Sequence, residues 1–135
     1  MTTINTPCLV VDEEKTRANI ETMARRIAAT GCAMRPHIKT HKSPHWAKLQ
    51  VQAGAAGITV AKMGEAEVMA DGGLDDIFVA YPLIGEEKIR RALALARRVK
   101  RFIVAADSLE GAQALSRAAV AAGVSLELRC EVDTG

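Results

Sequence analysis

Aromatic residues are scarce: one Trp, one Tyr and two Phe among 135 residues, 3% of the total. So few rings argue against the base-stacking surfaces of single-strand nucleic-acid binders. There is no basic block either. The net charge is +2, with Lys and Arg alternating with Asp and Glu along most of the chain, so nucleic acid is not an expected partner. No apolar run approaches the roughly 20 residues that a membrane span needs, so no membrane is expected. The opening MTTINTPCLVVDEEK lacks a charged stretch followed by a long apolar one, and a signal peptide is not expected. Cys8, Cys32 and Cys130 are odd in number and form no CxxC spacing. They read as reduced thiols of a cytoplasmic protein rather than as disulfides or a zinc site. The fingerprint GxGxxG is also missing, which removes the dinucleotide-binding sheet.

What the sequence does have is a regular alternation of short apolar runs and helical patterns. CLVVD is the first strand candidate. Asp12 caps a helix to about Thr30, with Ile20, Met23, Ala24, Ile27 and Ala28 on one face and Gly31 just past its end. Ser43-Pro44 opens a second helix, carrying Trp46, Leu49, Gln50 and Ala53 at helical spacing. The runs AAGITVAK, DDIFVAYPL, RFIVAA and SLELRCEVDTG read as strands. Helices lie between them, over about 64–71, through GEEKIRRALALARRVK with Ile89, Ala92, Leu93 and Ala96 inward, and from an Asp107-Ser108 cap to Gly123. With CAMRPHIK the strand centres fall near residues 36, 59, 79, 104 and 129. Strands that alternate with helices and read as continuous apolar runs signal parallel α/β units. Without a dinucleotide fingerprint, the pattern predicts parallel (β/α) repeats forming the N-terminal half of a TIM-type (β/α)8 barrel, since a whole barrel needs roughly 250 residues.

CAMRPHIKTHKS is the informative strand. If Met34, Pro36 and Ile38 face the helices, then Arg35, His37 and Lys39 point inward. Lys39 then lies at the C-terminal strand end, where barrels build their active sites. Desolvation and neighbouring cations would lower its pKa and make it a nucleophile toward an aldehyde, through a Schiff base. Lys62 also ends a strand, so position alone does not choose between them. Lys42 sits in the turn before Ser43. His41 and His45 are turn and first-helical-turn residues, and Tyr81 ends a strand where it would line the same mouth.

The segment RPHIKTHKS resembles the signature of the D-threonine aldolase and D-serine dehydratase group. These are pyridoxal-phosphate enzymes with an alanine-racemase-type N-terminal barrel. TPCLVVDEEKTRANI, GITVAKMGEAEVMADGGLDDIFVAYPL and EVDTG fall around it in the same order as in that group. The resemblance implies that the first lysine of the segment, Lys39, is the catalytic residue and carries pyridoxal 5'-phosphate as a Schiff base. Lys39, His37 and Tyr81 are then the expected cofactor contacts. The implied activity is a lyase acting on D-β-hydroxy-α-amino acids. Loss of the Cα proton leads to dehydration, and loss of the hydroxyl proton leads to retro-aldol cleavage. A divalent metal, zinc or manganese, is implied for the full-length protein, which is expected to be a homodimer acting on a small D-amino acid. The metal ligands, the phosphate-binding glycine loop and an arginine near the ring are expected beyond Gly135, so no metal ligand is expected in this chain. A racemase of the alanine racemase type and a non-catalytic cofactor carrier stay open as alternatives. Residues 1–135 are expected to be the first part of the barrel domain, with the rest of the barrel and a C-terminal β domain outside it, and to be inactive alone.

Overall fold

Four of the apolar runs pair as one parallel sheet, in chain order: β1 (Ile58–Val60), β2 (Asp76–Pro82), β3 (Arg101–Ala106) and β4 (Glu127–Cys130). The structure, a computed structural model, describes residues 4–135. Residues 1–3, where the signal-peptide reading begins, lie outside it. The register sets Ile58 beside Ile77, Ile77 beside Phe102, and Ile103 beside Glu127. Side chains alternate across a strand, so each strand is divided between two faces. Ile58, Val60, Ile77, Val79, Phe102 and Val104 share one core with Met69, Leu95 and Leu115 of the helices. Thr59, Phe78 and Ile103, paired across β1 to β3, stand on the other face.

The helices are α1 (Glu13–Ala28), α2 (Pro44–Gln52), α3 (Met63–Asp71), α4 (Glu86–Ala96) and α5 (Leu109–Ala122). Each touches the next: α1 packs on α2, α2 on α3, α3 on α4 and α4 on α5. One continuous helical layer over one sheet face is the arrangement of TIM-type β/α units. A doubly wound sheet would divide its helices between both faces.

Several element ends follow from local chemistry. The Asp12 carboxylate accepts the Lys15 N–H at 2.9 Å, and the Ser108 hydroxyl accepts the Gly111 N–H at 3.3 Å. Gly123 ends α5 in the left-handed region, at φ 62°. On α4, Ile89, Ala92 and Leu93 are buried as the periodicity predicts.

Two expected strands are not strands. Leu9 is 99% exposed and Val10 and Val11 are exposed too. CLVVD has no neighbouring strand among the described residues, and a strand exists only as one of a pair. The stretch around residue 36 is reduced to a single parallel bridge, His37 to Thr59. Pro36 accounts for this. Its carbonyl accepts the Thr59 N–H at 2.8 Å, and its nitrogen, which faces the same way, has no hydrogen to donate back. The predicted inner faces of the first two helices are also thinner than expected. No residue of α1 is buried, its main packing being on α2, and on α2 only Ala47 is buried.

Candidate active site

The Lys39 turn is built on one buried side chain. Ile38 is fully enclosed in the core under the helices. Its carbonyl accepts the N–H groups of His41 (3.1 Å) and Lys42 (2.8 Å), which winds residues 38–42 into a tight turn. Ile38–Thr40 is a single turn of 3-10 helix. The His37 ring closes the turn from below, its Nδ1 accepting the Lys39 N–H at 3.2 Å. Lys42 sits in the left-handed region at φ 48°, which a non-glycine residue adopts only where its neighbours hold it.

The Lys42 ammonium is paired with Glu65. Lys42 Nζ lies 3.3 Å from Glu65 Oε1, and Glu65 Oε2 accepts the Ala61 N–H at 2.8 Å. Glu65 is 7% exposed and Lys42 is 56% exposed at the side chain. Burial by itself would raise the Glu65 carboxyl. The Ala61 N–H and Lys42, with the charge of Lys62 behind them, more than offset it and hold Glu65 below the usual carboxylate range. His41 ties the same turn to α2. Its Nδ1 accepts the Ser43 N–H at 3.1 Å, so the neutral ring donates from Nε2 to Gln50 Oε1 at 3.3 Å. Burial lowers the His41 imidazole, opposed by the Gln50 bond. Burial also lowers His37, helped by the Lys39 charge and opposed by Glu65.

The three basic residues of the segment therefore have separate places. Arg35 lies at the opposite strand end from Lys39, packed against the first residues of β1 and β2. Its Nη1 donates to the Ile58 and Asp76 carbonyls at 3.3 and 3.4 Å. It also lies 2.7 Å from the buried Asp76 Oδ1, without an N–H directed at that oxygen, so the contact is an ion pair and no hydrogen bond. Asp76 meets Arg101 at 3.7 Å, Arg101 meets Glu127 at 2.7 Å, and Glu127 meets Arg129 at 3.8 Å. A row of alternating charge thus crosses the sheet at the strand starts. His37 sits halfway up the inner face, beside Thr59.

Lys39 is exposed, so the desolvation expected of it is absent. Among the described residues, no carboxylate lies within ion-pair distance of its amine, in contrast to Lys42. Lys62, the other strand-end lysine, is exposed at the N-cap of α3. Tyr81 has its own neighbour on α4. It is half exposed at the end of β2, and the Lys88 ammonium of α4 lies 5.8 Å from its ring centroid. No group of three or more His, Cys, Asp or Glu among the described residues is placed to hold a metal ion. No helix of the described residues is long and apolar enough to cross a membrane.

Glu65 is the residue that sequence reasoning missed. Its signal was present. Glu65 is the third residue of α3, with Lys62 at the N-cap, the spacing at which a glutamate reaches back to a helix start. Here it reaches one residue further, to Ala61.

A profile of the family described as Alanine racemase, N-terminal domain matches residues 11–135. The chain belongs to the alanine racemase N-terminal domain family. Within it, the chain is 37% identical over 132 residues to the D-threo-3-hydroxyaspartate dehydratase of Delftia sp. (strain HT23), covering 98% of this chain and 34% of that protein. It is 34% identical over 132 residues to the D-threonine aldolase of Arthrobacter sp, covering 98% of this chain and 35% of the aldolase. The crystal structure of D-threonine aldolase from Filomicrobium marinum superposes with a TM-score of 0.94 at 34% identity, over 97% of this chain and 35% of that one. The family member described here thus spans about a third of the length of the relatives it matches.

Proposed function

We propose that the protein is a pyridoxal-phosphate-dependent lyase acting on D-β-hydroxy-α-amino acids, with Lys39 as the cofactor-bearing residue. One observation carries the reading. In a chain matched over 98% of its length by a dehydratase and an aldolase whose names are D-hydroxy-amino-acid activities, Lys39 is a primary amine without a carboxylate partner among the described residues, in the turn that follows His37. An aldehyde cofactor fits that donor set, because a free amine is the group that condenses with it. Bound there, pyridoxal phosphate supplies an electron sink for the pair left at the substrate Cα. The Lys39 amine would hold the cofactor and, when free, would be the base for the Cα proton. His37 fixes the Lys39 main chain through Nδ1 and keeps its second ring nitrogen for the inner face.

The reading includes a divalent metal held by residues outside this chain, a homodimer and a cytoplasmic location. One solved relative, a dehydratase variant, is described as the metal-free form. The three cysteines are free and exposed, which suits a reducing compartment. It also includes residues 1–135 as the first part of a barrel domain.

The test is a substrate screen of the whole protein with D-threonine, D-serine and D-3-hydroxyaspartate. Release of glycine with an aldehyde marks cleavage, and release of a 2-oxo acid with ammonia marks dehydration. Either outcome with loss of activity in Lys39→Ala supports the proposal. Interconversion of D- and L-alanine without release of either product class would replace it with a racemase.

A further inference from the structure

Lys42 and Lys62 line one hollow beside Glu65, Lys39 belongs to the same turn as Lys42, and all three are exposed. An aldehyde reacts with any free amine, so nearness to the site does not explain why one lysine is used. Lys42 differs from the other two in its partner; Lys62, like Lys39, meets no carboxylate at ion-pair distance among the described residues. Lys42 Nζ lies 3.3 Å from Glu65 Oε1, and Lys39 has no such carboxylate among the described residues.

We propose that Glu65 is a positioning residue that directs the cofactor aldehyde to Lys39 by occupying Lys42. The proposal rests on the reading of Lys39 as the cofactor lysine. Glu65 is suited to this because it cannot easily turn away. It is nearly enclosed at the start of α3, and its second oxygen is fixed by the Ala61 N–H at 2.8 Å. To react, Lys42 must leave that carboxylate and give up a proton, which would strand a buried charge with one hydrogen bond fewer. Lys42 also belongs to the turn that carries Lys39, its own N–H donating to the Ile38 carbonyl at 2.8 Å. His37, Lys42 and Lys62 are the titratable groups around Glu65, and the carboxylate is held in its charged form among them.

The experiment labels lysines in the whole protein with pyridoxal phosphate itself. A lysine Nζ condenses with the aldehyde carbon and water leaves. Hydride from borohydride then reduces the resulting carbon–nitrogen double bond to a stable secondary amine, the borohydride being oxidised. Peptide mass mapping locates the label. Wild type is expected to carry it on Lys39. In Glu65→Ala and Glu65→Gln the share on Lys42 is expected to rise by about fivefold, the scale of one ion pair with a half-exposed partner. Glu65→Gln keeps an acceptor for the Ala61 N–H and removes only the charge, so it decides the matter should Glu65→Ala fail to fold. A folded Glu65→Gln protein whose label stays confined to Lys39 overturns the proposal. Wild-type label found away from Lys39 overturns the cofactor assignment beneath it, a result that the Glu65 variants do not mimic.

Discussion

Gly57 leaves no room for a methyl group. A Cβ there would sit 2.6 Å from the Asp76 carbonyl oxygen and closer still to Arg35 Nη1. Gly57→Ala is therefore expected to lower stability by about 2 kcal/mol, the cost of overpacking a fitted site. Arg35→Ala should not rescue it, because the backbone oxygen remains; restoration of the melting temperature in the double variant would refute this. The histidines give a second expectation at this scale. Both His37 and His41 titrate lower in the folded protein than the ordinary imidazole. The unfolded chain therefore takes up their protons first. Stability is full above about 6.5 and is lost as pH falls through the lower folded values. Protonation would also set an N–H donor against the Lys39 and Ser43 N–H groups, where each Nδ1 now accepts. Thermal melts from neutral to about pH 5 should show this loss, and a variant with His37→Gln and His41→Gln should show a flatter profile.

Ser43 and Ser108 look alike in the sequence, each opening a helix. Only Ser108 caps through its side chain; the Ser43 hydroxyl makes no cap bond, and its N–H goes to His41. Ser108→Ala is expected to cost about 1 kcal/mol and Ser43→Ala clearly less, measured by denaturant unfolding. Equal losses would mean that the local cap is not what stabilises α5. The contrast shows what was legible in the residues. Helix α4 could be read from its period, since its buried face depends on spacing alone. Strands β1 to β4 could be read from their apolar runs. The CLVVD run and the Pro36 stretch could not, because a strand needs a partner and a donor that its own residues do not reveal. At the site, the placement of His37 opposite the buried Ile38 was legible from alternation. The solvent exposure of Lys39 and the grip of Glu65 on Lys42 were not, since both depend on how a turn and α3 meet across the end of β1.

At the scale of the whole molecule, the last strand is the open element. All residues of β4 are exposed, and its outer edge has no partner among the described residues. Unpaired strand edges recruit other strands. A polypeptide of residues 1–135 alone is thus expected to self-associate, and sizing chromatography should show species larger than the 14.4 kDa monomer. A stable monomer that binds one equivalent of pyridoxal phosphate at Lys39 would contradict both this and the expected inactivity of the isolated segment.

The row of charges at the strand starts decides something that burial leaves undecided. Sliding β3 along β2 by two residues keeps every side chain on its own face, so the hydrophobic pattern does not forbid the slip. The slip would carry Arg101 about 6.6 Å from Asp76 and set an isoleucine or a loop residue against a half-buried carboxylate. Glu127 would meet the same mismatch if β4 moved alone. Arg35, Asp76, Arg101 and Glu127 therefore act as a ruler for strand alignment. It rejects the even-numbered errors that an apolar core would accept.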